Sequence, residues 1–268
     1  MNGEPDLHDR EATFHDEWAD STALEDVDVR AAFEAITAPE NRLILSLAGN
    51  LRGKRVLDVG AGLGESSVYF ALQGARVTSL DISPRMVELT ARLAQLHGVE
   101  VEALVSPAER LPVPSAEFDV VYLANVIHHV EDRDALWREV HRVLKPGGRF
   151  FSWDPLAYNP VINVYRRMAT EVRTPDERPL TFHDLDQPRR LFRNVRHREF
   201  WIATLALFLK YYLLDRVNPN KSRYWKRILK EPRERLGWFA ALQGLDRVLA
   251  SLPVVRRLAW NIVIWGER

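Results

Sequence analysis

The segment Val56-Leu57-Asp58-Val59-Gly60-Ala61-Gly62-Leu63-Gly64 constrains this chain more than any other. Lys54-Arg55 lead into a short apolar run that reads as a buried strand. Glycines then occupy every second position, and Glu65 to Ala71 read as the start of a helix. A strand, a glycine turn and a helix in that order make the first step of a nucleotide-binding α/β unit. Glycine permits the tight turn and lets backbone approach a ligand at a helix N-terminus. The spacing selects among ligands. A dinucleotide loop needs glycine at the first, third and sixth positions. Counted from Gly60 the sixth position is Glu65, whose carboxylate would repel a pyrophosphate.

The pattern after this loop alternates strand and helix. Strands are predicted at Ala75–Leu80, ending at Asp81, at Val99–Val105, Phe118–Leu123 and Arg149–Trp153. Helices are predicted from Ser83-Pro84 to about Leu96 and from Asp132 to Leu144, and Lys145-Pro146-Gly147-Gly148 reads as a turn. Beyond Asp154, helices over Asn159–Thr170 and Asp184–Phe192 flank a turn-rich connector at 174–179, with a sixth strand at Val195–Ile202 and a seventh at Ala259–Trp265. Such alternation predicts an α/β fold, a Rossmann-like seven-stranded sheet with helices on both faces. Ahead of it, Phe14 and Trp18 share one helix face, and Thr37-Ala38-Pro39-Glu40 reads as a capping box. The expected organisation is one domain over 1–268: N-terminal helices over 1–50, a cofactor-binding core over 51–155, and a substrate-side half over 156–268 with a helical insertion at about 203–257. Ligands of such sheets bind at the strand carboxyl ends, which singles out Asp81, Asn125 and Asp154.

In family order and spacing, the pieces over roughly residues 50 to 155 resemble the class I S-adenosylmethionine (SAM)-dependent methyltransferases, and the branch with small-molecule and quinone-precursor enzymes. They are the Asp-x-Gly-x-Gly-x-Gly loop from Asp58, Leu-Asp-Ile-Ser at 80–83, Ala-Glu-Arg-Leu-Pro at 108–112, Phe-Asp-Val-Val at 118–121, Asn-Val-Ile-His-His-Val at 125–130 and Leu-Lys-Pro-Gly-Gly at 144–148. The resemblance implies methyl transfer from SAM, leaving S-adenosylhomocysteine, to a small, largely apolar or anionic acceptor. Oxygen, as hydroxyl or carboxylate, is the expected target, with carbon or nitrogen of a lipid- or quinone-like molecule as the alternative. A non-catalytic SAM-binding protein is a second class of reading.

The cofactor residues implied are Asp58, Gly60, Ala61, Gly62 and Gly64 around the loop, Asp81 on the ribose hydroxyls, Ile82 and Met86 beside the adenine, and Asn125 at the fourth strand. Relatives commonly carry Gly-Asp-Ala-Glu before the Leu-Pro. Here Ser106-Pro107-Ala108-Glu109 stands instead, so adenine contacts are assigned to Ala108 and Glu109. His128 is the candidate base, because histidine titrates near neutral pH, with packing as its other reading. His15, Trp18 and His129 are placed at the acceptor, although an aromatic pair at helical spacing and His129 both also read as packing; His183 reads as a helix start.

Composition narrows the remaining classes. Lys plus Arg and Asp plus Glu are equal at 37 each, and no Asn/Asp-Pro-Pro-Tyr signature is present, so nucleic acid is not the expected partner. There is no cysteine, and no His/Asp/Glu spacing along the chain resembles a metal motif, so no metal is expected. An acidic start without an apolar signal core makes cytoplasmic location the expectation. Residues 203–257 hold twelve basic and four acidic side chains among aromatics. Leu207, Phe208, Tyr211, Tyr212, Trp225, Trp238 and Phe239 are expected to cap the acceptor site, with peripheral contact to an anionic membrane as the alternative.

Overall fold

The computed structural model describes residues 7–174, 176–220, 223–230 and 237–268; Pro175 of the predicted connector and the side chain of Trp225 lie outside the described residues. Its frame is one seven-stranded sheet in the order β3-β2-β1-β4-β5-β7-β6. The strands are β1 (Arg55–Val59), β2 (Arg76–Asp81), β3 (Val101–Val105), β4 (Phe118–Ala124), β5 (Leu144–Pro155), β6 (Arg193–Phe200) and β7 (Asn261–Glu267). Neighbours from β3 through to β5 pair parallel, whereas β7 runs antiparallel to both β5 and β6.

The parallel strands carry apolar side chains on both faces because helices cover both faces. Leu57, Val121, Leu123 and Phe150 pack with Trp137 and Val140 on one side, while Val56, Val120, Tyr122 and Phe151 pack with Phe33 and Phe70 on the other. Each such fully buried aliphatic or aromatic side chain contributes about 1.5–3 kcal/mol. The helices around the sheet include α2 (Ala31–Glu34), α4 (Glu65–Leu72), α5 (Pro84–Leu96), α6 (Arg133–Val143), α7 (Pro160–Met168) and α8 (Asp186–Leu191). Ser83 caps α5 by accepting from the Met86 N–H, and Asp132 caps α6 through the Ala135 N–H.

Two local expectations fail, each for a physical reason. The predicted capping box is absent: α3 (Pro39–Ala48) starts after Ala38 with no side-chain cap. Thr37 instead donates to the Ile228 carbonyl, and Glu40 accepts from Asn261 Nδ2 at 2.7 Å, so both side chains serve tertiary contacts. The predicted turn at 145–148 is carried inside β5, where the pairing jumps from Phe118↔Leu144 to Val120↔Arg149 and Gly147 takes φ 76°.

The outer layers come from the ends of the chain. Helix α1 (Leu7–Asp20) lies over the carboxyl ends of β2 and β3: Asp16 accepts from Ser83 Oγ, and His8 Nε2 lies 3.4 Å from Glu109. After β6, the segment containing α9 (Ala206–Leu209), α10 (Tyr224–Arg227) and α11 (Gly237–Ala250) builds its own core. There Leu207, Phe208, Tyr211 and Phe239 pack with Tyr165, Trp201 and Trp260. Among the described residues no helix is long and apolar enough to cross a membrane.

Candidate active site

A cleft of ≈ 300 Å³ opens at the carboxyl ends of β1, β2 and β4, roofed by α1. The sheet order reverses between β1 and β4, the crevice where such sheets hold ligands. The three glycines of the loop divide the work there. Gly60 and Gly62 line the cleft with φ 69° and 55°. A side chain on Gly60 would meet Val126 Cγ2 at 2.4 Å, whereas Gly62 has nothing within 4 Å on its open side. Gly64 is not on the cleft wall; its Cβ would fall 2.9 Å from the Thr90 Cα, so this glycine serves the packing of α4 against α5.

Asp58 and Met86 do not line the cleft. Asp58 is fully buried behind the loop, accepting from Ser66 Oγ and Ser67 Oγ at 2.6 Å each. It ties the loop to the first turn of α4. Burial raises its pKa to about 6 against the two hydroxyl donors. Met86 is fully buried with Ala19, Leu63 and Leu89 and does not reach the cleft. Ala61, Asp81, Ile82, Ala108, Glu109 and Asn125 do line it. Asp81 Oδ2 accepts from the Gly62 N–H at 2.7 Å and Oδ1 from the Ser83 N–H at 3.0 Å. One carboxylate therefore fixes the glycine loop and the start of α5 together.

Asn125, just after β4, sits in the left-handed region at φ 57°, which asparagine tolerates. The bend brings His128 and His129 to the cleft, where their ring centroids lie 4.0 Å apart. His128 is 5% exposed. Asp154, at the end of β5, receives both its backbone N–H at 3.1 Å and its Nδ1 at 2.7 Å on one oxygen, Oδ1. An oxygen that takes the backbone donor is an acceptor, so the network assigns the ring proton to Nδ1 and leaves the Nε2 lone pair unprotonated. Burial, His129 and the Arg173 and Arg166 guanidiniums hold the His128 pKa well below its usual value, so the ring is neutral at pH 7. Burial pushes Asp154 upward, opposed by the His128 backbone N–H.

The roof supplies Phe14, His15 and Trp18 together with Glu11, a residue the sequence reading missed. Glu11 is 4% exposed and faces His129 Nδ1 at 3.0 Å and His15 Nε2 at 3.6 Å. Helical spacing from His15 was its only signal in the sequence. His183 is exposed in a 3₁₀ turn and takes no part in the cleft.

The far wall is apolar with a polar floor. Trp153, Trp201 and Trp260 line it. Trp201 adopts φ 68°, a conformation that costs energy for a bulky residue and that clusters at ligand sites. Beneath them, Trp153 Nε1 donates to Tyr122 Oη at 3.1 Å, and Tyr122 Oη donates to Asn41 Oδ1 at 2.6 Å. The insertion contributes differently from expectation. Leu207, Phe208, Tyr211 and Phe239 turn into their own core, and Tyr212 and Trp238 are exposed. Arg223, Lys226, Ile228 and Leu229 reach the cleft instead. Lys226 pairs with Glu65, and the Arg223 guanidinium lies 4.4 Å from the Trp18 ring centroid.

Glu40 in the floor gives a stability prediction. Burial raises its pKa to about 7. An acid with a raised folded pKa binds more protons folded than unfolded, so stability is highest below about pH 4.5 and falls as pH rises through 7. Glu40→Gln, which keeps an acceptor for Asn261, is expected to gain on the order of 3 kcal/mol over wild type at pH 8 and little at pH 4.5. Denaturant unfolding at the two pH values checks this; parallel stability profiles would reject the assignment.

Known proteins place these features. Residues 57–152 match the family model described as a methyltransferase domain. A ubiquinone biosynthesis O-methyltransferase from Pseudomonas syringae pv. tomato is 45% identical over 127 residues, covering 46% of this chain and 53% of that protein. The chain thus spans about half the length of the curated relatives it matches. The crystal structure of YcgJ from Bacillus subtilis shares the fold with TM-score 0.58 and 24% identity, over 85% of this chain and 97% of that one. So does the [4+2]-cyclase SpnF, with TM-score 0.60 and 16% identity over 100% and 98%. Residues 57–152 thus carry a methyltransferase domain, and its resemblance is to the class I SAM-dependent methyltransferases.

Proposed function

We propose that this protein transfers the methyl group of SAM to an oxygen atom of a small, largely apolar acceptor. The observation that carries the proposal is that one cleft is lined by two unlike sets of groups. The glycine loop with Asp81 is one set, and the neutral His128, held by Asp154, with Trp153, Trp201 and Trp260 is the other. The first set fits SAM, because Gly62 leaves backbone open to a close approach and Asp81 offers carboxylate acceptors to ribose hydroxyls. Ala61, Ile82, Ala108, Glu109 and Asn125 line the same cleft, and Ser106 Oγ donates to the Arg110 carbonyl.

Bound SAM supplies a methyl group already activated on a sulfonium. The chain has to orient the acceptor and take its proton. His128 Nε2 is the base, and Asp154 holds the ring in the tautomer that leaves that nitrogen free. Trp153, Trp201 and Trp260 accommodate an apolar acceptor body and keep water away. A neutral hydroxyl acceptor must lose its proton as the methyl group arrives, and a neutral imidazole can take it. The oxygen specificity of the ubiquinone-pathway relative points the same way.

Calorimetric titration of the full chain is expected to show one site for SAM and for S-adenosylhomocysteine and none for a nicotinamide dinucleotide. Binding of the dinucleotide instead would reject the proposal. A separate reading, peripheral contact with anionic lipid, is favoured by Leu209, Tyr212, Leu213 and Leu214, which lie exposed on the basic insertion. Flotation with anionic vesicles at low salt tests it, and an unbound protein rejects it.

A further inference from the structure

We infer that Glu11, His15 and His129 form a binding site for a divalent transition cation at the acceptor side of the cleft. One carboxylate oxygen and two imidazole nitrogens all lie within 4.8 Å of one another. The measured separations from Glu11 are 3.0 Å to His129 Nδ1 and 3.6 Å to His15 Nε2. Ligands at about 2.0–2.2 Å from a tetrahedral zinc-like ion stand roughly that far apart, so small side-chain movements would close the set. All three residues line the cleft, and Glu11 comes from the same face of α1 as His15, one turn earlier.

What separates this trio from an ordinary ion-pair network is its hydrogen bonding. Glu11 is almost fully buried, yet neither of its oxygens makes a hydrogen bond of acceptable geometry, despite two imidazole nitrogens at close range. A buried carboxylate left in that state costs free energy unless something else satisfies it. A cation meets that need, since it uses lone pairs converging on a point rather than N–H vectors.

A second grouping, His128 with His129 and Glu177, is less free to bind. His128 Nδ1 is engaged by Asp154, and Glu177 is paired with Arg173. Two imidazoles and a single carboxylate suit zinc, iron(II) or cobalt(II) better than magnesium or calcium, which prefer all-oxygen sets. The role of the ion rests on the methyl-transfer reading. Beside His128, it would hold the acceptor oxygen and withdraw charge from it, so that the hydroxyl releases its proton more readily.

Cobalt(II) titration of the chelator-treated full chain tests the site, read by visible d–d absorption and by metal analysis. One cobalt ion per chain, displaced by zinc, is expected. Glu11→Gln and His15→Ala should each weaken uptake by at least ~100-fold, beyond the loss of an outer-sphere partner. Thermal melting and SAM titration on the same samples establish that the variants are folded. No stoichiometric ion in wild type, or wild-type uptake by both folded variants, would overturn the site. SAM binding without cobalt uptake removes the metal inference alone, and cobalt uptake without SAM binding removes the functional reading alone.

Discussion

Replacing Asp154 with Asn is expected to lower turnover by ~10²–10⁴-fold while leaving SAM affinity within a few-fold of wild type. The reason is tautomeric. Asp154 Oδ1 receives both the His128 backbone N–H and ring Nδ1, which keeps the proton off Nε2. An Asn amide at this position can present N–H to Nδ1, moving the ring proton to Nε2 and removing the base. His128→Ala should give a loss of similar size, and the double variant little more, because the two side chains act as one unit. The dyad also sets a pH dependence. His128 is held neutral well below its ordinary pKa, so its own protonation does not limit the rate near neutrality. Burial raises the Asp154 pKa, so an acid limb should appear as that carboxyl gains its proton, and Asp154→Asn should abolish it. Steady-state rates with pH, alongside cofactor titration, check both. Equal loss of turnover and cofactor affinity in an unstable protein would assign the pair to packing.

The second large effect concerns Asp81→Ala, which is expected to weaken SAM binding by at least ~10²-fold. Hydrogen bonds to a charged group contribute about 1.5–3 kcal/mol each. The substitution removes the acceptor proposed for the ribose and also two anchors seen in the structure, the N–H groups of Gly62 and Ser83. The fold should persist, since Asp81 ends β2 and Leu80 beside it, fully buried, carries the packing. Calorimetry on a folded variant decides the matter: unchanged affinity excludes the ribose role.

The sheet was legible in the sequence because parallel strands buried on both faces write themselves as short apolar runs between glycines and capping residues. Val56–Val59, Phe118–Leu123 and the Gly60–Gly64 loop are local signals of that kind. Individual roles within the loop were not legible. Gly62 meets the cleft while Gly64 meets Thr90, a difference set by what packs above each residue. Met86 shows the same limit: its place beside the cofactor strand suggested adenine, but α1 descends over α5 and draws it into a separate apolar cluster. Thr37 and Glu40 matched a capping box, yet partners nearly two hundred residues or more away, Ile228 and Asn261, claimed their side chains. Glu11 escaped notice for the same reason, since His129 reaches it only once β4 and its exit bend are in place. The described helices of the insertion do not present the expected aromatics to the cleft. Its apolar residues needed a core of their own, which left Arg223 and Lys226 to face the cleft.

Methyl transfer from SAM to oxygen in this cleft is open to a chemical test: the full chain is incubated with SAM carrying a carbon-13 methyl group and a set of phenols, carboxylic acids and amines of apolar body, and the products are read by NMR. Labelled methyl ethers are expected from hydroxyl acceptors and are expected to be lost in Asp154→Asn. Label found only on nitrogen or carbon, or full ether formation by that variant, would rule out the proposed transfer.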